Sequence, residues 1–256
     1  MKATQTIGEH LHEWRQRRRR SQLDLALDTE ISPRHLSFVE TGRSQPSRDM
    51  VLRLTAELDI PLRERNALLL IAGYAPVFPE RSQNDVALAQ ARNAIDTLLK
   101  AHEPFPALAV DRYWNLVSAN ASGTRLLAGI AEHLLKPPVN VLRASLHPEG
   151  AAPRIVNLGE WKVHVLHRLR KQFEASADPV LVELIEELRA YPAPSAKPAD
   201  PSALAVPLIV RSPRGEMAFL STTLLFGSPL DVRLSELAIE IFLPADAATV
   251  ERLRNG

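Results

Sequence analysis

The sequence predicts an α+β protein in two parts: an all-α domain, then an antiparallel sheet with covering helices. Three observations predict it. Residues 1–75 carry apolar residues at helical spacing and show no strand-like alternation. Past residue 104 short apolar runs appear in the order strands, helices, strands. Between them lie a proline-marked stretch, Tyr74 to Asn84, and one long helix. These place a head at 1–75, a linker and connecting helix at 76–104, and a second domain at 105–256.

The head reads as five short helices. Ile7, Leu11 and Trp14 share one face of the first. Ser21, with Asp24 three residues on, opens a second that carries Leu23, Ala26 and Leu27. Ser32-Pro33 is a cap followed by a first-turn proline, and Leu36 and Val39 point inward from the third helix, which ends near Thr41-Gly42. Ser47 opens a fourth through Leu58, and the fifth runs from Leu62 to Ala72 with Gly73 as its C-terminal cap.

The second part begins with a helix from Asp85 to Glu103. Leu108–Val110 and Trp114–Ser118 read as two strands joined by a tight turn. Helices follow from Asn120 or Ser122 to Leu127, at Val139–Leu146, at Glu160–Glu174 and at Pro179–Leu188. Residues 191–201 hold four prolines and read as a loop. Strands are expected at Leu204–Val210, Met217–Phe226 and Leu237–Leu243, with a turn at Ser212–Gly215 and a closing helix near Ala245–Leu253. The pattern suits one sheet covered on one face.

Composition narrows the function. With 45% hydrophobic and 24% charged residues, the 256-residue chain has the mix of a globular protein. A net charge of +1 excludes a uniformly basic nucleic-acid coat, but the charge is uneven. Residues 1–75 hold 12 basic and 10 acidic side chains, and residues 15–20 hold five arginines. The absence of cysteine excludes thiolate metal sites, disulfide scaffolds and cysteine nucleophiles, and it suits the cytoplasm. No two of the ten glycines lie closer than six positions, which excludes the dinucleotide turn and the Walker loop. No targeting signal or membrane span is legible, and no cofactor is expected.

Residues 22–40 carry the most specific signal. Ala26 is small where two helices cross, Ile31 plugs the turn, and Leu36 and Val39 anchor the second helix. With Glu40-Thr-Gly-Arg43 and Pro46-Ser47, residues 5–73 resemble the lambda-repressor-like helix-turn-helix of the Xre family. Glu30 stands where many members have glycine in the turn. The resemblance implies that residues 32–40 enter the major groove of a double-stranded DNA operator. Arg34 would then pair with guanine, and Ser32, Ser37 and His35 would reach bases or phosphates. Pro33 lies on the same outward face. Phe38 would meet thymine methyls or simply pack, and Gln22 and Arg43 match phosphate-contact positions. Arg17 to Arg20 would add non-specific phosphate attraction.

Val110 to Asn120 resembles the opening hairpin of a PAS-type sensor. More narrowly, Ala72-Gly-Tyr-Ala-Pro76, Val139-Asn-Val-Leu-Arg143, Leu146-His-Pro-Glu-Gly150 and Asn157-Leu-Gly-Glu-Trp161 resemble the MmyB-like regulators. That resemblance implies a PAS-like sheet with a ligand-binding, dimerising role, and known relatives can hold a fatty acid. Phe105, Trp114, Leu142, Trp161, Phe219 and Phe226 are the expected lining of an apolar cavity. Arg143 and His147, at i and i+4, are the expected seat of a carboxylate head group.

Glu160, His164 and His167 share one helix face, but without His-Glu-x-x-His spacing no metal is assigned. No Gly-x-Ser-x-Gly elbow exists, so no catalytic residue is assigned and no enzyme is expected. The expected protein is a homodimeric, ligand-responsive transcription regulator of the repressor type. The alternative is an antitoxin-like or sigma-contacting interaction module without a ligand.

Overall fold

The structure is a computed structural model that describes residues 5–82, 85–196 and 205–254. The chain divides into two compact units. The first draws on Met1–Arg81, Glu174–Ala177 and Leu230–Ser235, and the second on Ser82–Phe173, Asp178–Pro229 and Glu236–Gly256.

The first unit holds α1 (Ile7–Arg17), α2 (Gln22–Asp28), α3 (Pro33–Glu40), α4 (Arg48–Glu57) and α5 (Leu62–Ile71). Their starts follow from local chemistry. The Thr6 hydroxyl accepts the Glu9 N–H while the Glu9 carboxylate accepts the Thr6 N–H, a reciprocal cap on α1. Ser21, Ser32 and Ser47 each accept the backbone N–H three residues on, opening α2, α3 and α4. Leu11, Leu25, Ala26, Leu36, Val39 and Leu54 meet in one core. Leu23 and Leu27, expected with Ala26 on the apolar side of α2, are instead 56% and 65% exposed, and Leu25 turns inward. A helix of seven residues takes its rotation from its neighbours, because its own apolar pattern is too short to impose one.

The second unit begins with α6 (Val86–Ala101), β1 (Ala107–Val110), β2 (Leu116–Ala119), α7 (Ala121–Leu126) and α8 (Val141–Leu146). It continues with α9 (Leu158–Ser176), α10 (Pro179–Ala190), β3 (Leu208–Ser212) and β4 (Gly215–Leu225). After α11 (Val232–Ser235), which belongs to the first unit, come β5 (Ala238–Pro244) and α12 (Ala247–Arg254). Two short 3₁₀ turns, Glu132–Leu135 and Ala152–Arg154, flank α8. The second strand starts later than expected. Asp111 accepts the N–H groups of Tyr113 and Asn115, which curls the chain and leaves Trp114 at φ +67° before β2. The expected strand start at Leu204 lies outside the described residues, and the expected loop over 191–201 is described only to 196.

The five strands form one antiparallel sheet in the order β2-β1-β5-β4-β3. It is the PAS-like sheet with covering helices, but both faces are covered. Leu108, Phe219 and Phe242 point to a core shared with α8, α9 and α10. Ala107, Ala109 and Ile239 point the other way, against Ile95 and Leu99 of α6. β1 is therefore buried at every position, which removes the alternation that marks a one-sided strand. Asn120 ties two elements together. Its side-chain oxygen accepts the Gly123 N–H, capping α7, and the Ala107 N–H at the head of β1.

Candidate nucleic-acid interface and ligand cavity

In the first unit α2 and α3 form the helix-turn-helix. Ile31 is buried in the turn, and Glu30 takes a left-handed backbone at φ +55° without being glycine. Leu36, Val39 and Glu40 are the buried face of α3. Ser32, Pro33 and Arg34 are exposed on its outer side, and His35, Ser37 and Phe38 are half-buried.

Arg34, Phe38 and Arg43 form a stripe along that outer side. The Arg34 guanidinium lies 5.4 Å from the centre of the Phe38 ring, one helical turn away. The Arg43 guanidinium lies 5.8 Å from the same ring. The turn after α3 brings it there, because the Arg43 and Ser44 N–H groups both bond the Phe38 carbonyl, at 2.8 and 3.1 Å. Guanidinium groups over an aromatic face are attracted by its quadrupole.

The helix is held from behind by a buried charge cluster. Arg15 of α1 grips Glu40, the last residue of α3, and His12 and Gln22 also bond that carboxylate. Burial pushes the Glu40 carboxyl up, but the hydrogen bonds from Arg15, Gln22 and His12 outweigh it and hold it below its ordinary value. Gln22, expected on a phosphate, thus has its amide N–H on Glu40 at 2.7 Å. The arginine run is also partly internal. Arg18 bonds the carbonyls of Leu58 and Asp59, and Arg20 pairs with Asp28. Arg19 has no ion-pair partner among the described residues and is exposed.

The second unit contains a cavity of about 690 Å³ between the concave sheet face and helices α7, α8 and α9. Trp114, Leu142, Trp161, Phe219 and Phe242 stand in its wall. The polar groups of the wall are unbalanced. Among the described residues the wall holds Arg125, Arg154, Arg168, Arg211 and Arg214 but one carboxylate, Glu240; Arg211 and Arg214 are exposed, and Arg211 lies 3.5 Å from Glu216. Arg168 lies 2.6 Å from Glu240 and stacks over Trp114 at 4.8 Å, and Thr223 donates to the same carboxylate. Among the described residues Arg154 makes only a neutral bond, to the Leu126 carbonyl at 2.9 Å, and Arg125 bonds the Ser122 hydroxyl.

A family model for the MmyB-like transcription regulator ligand binding domain matches residues 91–255. The chain belongs to the MmyB-like transcription regulators. A helix-turn-helix family model matches residues 11–65 of this MmyB-like regulator. The two together make it a DNA-binding transcription regulator with a ligand-binding domain. Both matched families are regulator domains rather than enzymes. No curated protein matches the chain. Among the described residues of this MmyB-like regulator no helix is long and apolar enough to cross a membrane.

The structure brings Trp114, Leu142, Trp161 and Phe219 of the regulator together in the cavity wall. Phe105 packs at the rim of the main core beside His102, and Phe226 joins the α6 side of the sheet. Arg143 and His147 do not stand in the cavity wall. Arg143 closes two-pronged onto Glu187 of α10, and its hydrogen bonds hold that carboxyl below its ordinary value. The His147 ring packs edge-on against Tyr191. α8 shows the cavity Val141, Leu142, Ala144 and Ser145, so the i, i+4 pair falls on a different side of that helix.

Glu160, His164 and His167 of the MmyB-like regulator do not converge on one point. His164 stacks on Trp161 at 5.2 Å, and burial lowers its pKa. Among the described residues, His133, His147 and Glu149 do bring ligand atoms within 4.8 Å of one another. The Glu149 N–H already donates to His147 Nδ1, which puts the neutral ring's proton on Nε2. No metal site is assigned there. Sequence reasoning missed Arg168 and Glu240. Helical spacing from Trp161 and Val165 would have found the first, and alternation with Phe242 the second.

Proposed function

We propose that this regulator is a ligand-responsive, repressor-type homodimer that acts in the cytoplasm on a palindromic operator and senses a small apolar or fatty-acid-like molecule. The cavity supports this reading most directly. Its volume of about 690 Å³ and aromatic and aliphatic wall suit a small-molecule chain. The excess of arginine over carboxylate in the wall favours an anionic or amphipathic ligand over a neutral hydrocarbon.

On the DNA side, α3 is the groove helix. Arg34 takes a guanine edge, Ser32, His35 and Ser37 reach neighbouring bases or phosphates, and Pro33 and Phe38 line the same surface. Arg43 and Arg19 supply phosphate attraction. Two heads would read half-sites about one helical turn apart. A ligand would alter operator affinity only through unequal affinity for two arrangements of the dimer.

Native mass spectrometry of the purified chain, before and after denaturing extraction, tests the sensor. A dimer with a mass excess lost on extraction is the expected result. A gel-shift series at fixed salt against upstream DNA tests the regulator. A stable complex with another protein, and weak binding indifferent to DNA sequence, would instead establish an interaction module.

A further inference from the structure

We propose that Phe38 reads the C5-methyl group of a pyrimidine beside the guanine taken by Arg34. Each head then recognises a thymine–guanine step and accepts 5-methylcytosine in place of that thymine. The proposal rests on α3 being the groove helix.

The ring is not core. Leu36, Val39 and Glu40 fill the buried side of α3, and Phe38 stays half-buried on the outer side. A phenyl ring has no hydrogen-bonding group and cannot read a polar base edge. The thymine methyl is the apolar group that a major groove offers it. What surrounds the ring is equally specific. Arg34 and Arg43 lie over it at 5.4 and 5.8 Å, and neither has an ion-pair partner among the described residues. By contrast, Arg15 and Arg20 in the same unit are paired with carboxylates. Attraction to the ring face holds the guanidinium beside Phe38, and its planar fork is what the N7 and O6 of guanine accept as a two-bond pair. In a pyrimidine–guanine step the 5-methyl projects into the major groove beside that same guanine. One adjoining arginine and phenylalanine pair therefore meets both groups of the step. Because the ring touches the methyl alone, it does not distinguish thymine from methylated cytosine.

The test uses the full chain and a duplex selected from a random pool. Deoxyuridine replaces thymine one position at a time, which removes the methyl group and nothing else. Affinity is read by fluorescence anisotropy at fixed salt. The expected result is a loss of about three- to fivefold at one position per half-site, just 5′ of the guanine whose preference Arg34→Ala relaxes. Cytosine at that position should bind weakly and 5-methylcytosine should restore affinity. Phe38→Ala should bind thymine and deoxyuridine duplexes equally.

Indifference of the wild-type chain to every deoxyuridine, with Arg34→Ala still relaxing a guanine, overturns the methyl reading and leaves the groove reading standing. An undiminished deoxyuridine effect in Phe38→Ala also overturns it. Failure to select any duplex overturns both. The wild-type comparison needs no variant, so a Phe38→Ala chain that unfolds does not shield the idea.

Discussion

Arg15 and Glu40 face each other as a two-pronged ion pair, Nε to Oε1 and Nη2 to Oε2, both at 2.7 Å. Their residues are 5% and 6% exposed. The pair fastens the last residue of α3 to α1, and the outer side of the same helix carries Arg34 and Phe38. Breaking it from one side leaves an uncompensated buried charge, which typically costs about 3–5 kcal/mol. Glu40→Gln should therefore lower the melting temperature of the helical unit steeply by circular dichroism. Arg15→Met with Glu40→Leu should recover much of the loss, because it removes both charges. Equal melting of wild type and Glu40→Gln would show that the pair bears no structural role.

The same carboxylate predicts a pH dependence. Its folded pKa lies below the ordinary value, so the unfolded chain binds its proton more readily. Its contribution to stability is complete above the usual glutamate range, near about 4.3, and is lost as the pH falls from there through the folded pKa. Urea titrations between about pH 6 and pH 3 should show wild type losing stability on acidification more steeply than Glu40→Gln, whose amide does not titrate.

Gly8 of α1 lies against the end of α3. A Cβ there would stand 2.2 Å from the Val39 carbonyl oxygen and 2.8 Å from that of Glu40. Gly8→Ala gains helix propensity of about 1 kcal/mol, but backbone atoms must move to admit the methyl. Overpacking of this kind costs about 1–3 kcal/mol, so a net loss of stability is expected. Chemical denaturation would check it, and a more stable Gly8→Ala would mean that the helices do not cross as closely as described.

Leu142 stands in the cavity wall, and a tryptophan there would take up space a ligand chain needs. Leu142→Trp should weaken binding of a twelve-carbon carboxylate by more than about tenfold. Arg154→Ala should weaken the carboxylate more than the matching alcohol, because its guanidinium contributes charge to the wall. Isothermal calorimetry with both probes separates the two effects. Equal losses for acid and alcohol in Arg154→Ala would remove the arginine from head-group recognition.

Arg34→Ala should relax base preference at one position, at a cost of about 1–3 kcal/mol on the preferred duplex. Arg43→Ala should weaken all duplexes alike and reduce the slope of log affinity against log salt by about one. Binding-site selection and a salt titration read the two outcomes.

Much of this was legible in the chain itself. Ser21, Ser32 and Ser47 cap the next helix through bonds that span three residues, so local sequence suffices to place them. Trp114, Leu142, Trp161 and Phe219 reach the cavity wall because large apolar side chains collect where a sheet and helices enclose space. Arg143 and His147 misled because spacing puts two side chains on one face without saying which face meets the cavity. Leu23 and Leu27 misled for the same reason.

Short-range rules therefore determined the class, the helix-turn-helix and the residue types of a ligand-binding domain. Hydrogen bonds within one turn and apolar periodicity are properties of neighbours along the chain. Only the tertiary structure decided that α6 covers the second face of the sheet, that Gln22 serves Glu40, and that Arg154 and Arg168 face the cavity in place of Arg143. Each depends on the rotation of an element about its own axis. Packing against residues distant in sequence sets that rotation, and no periodicity records it.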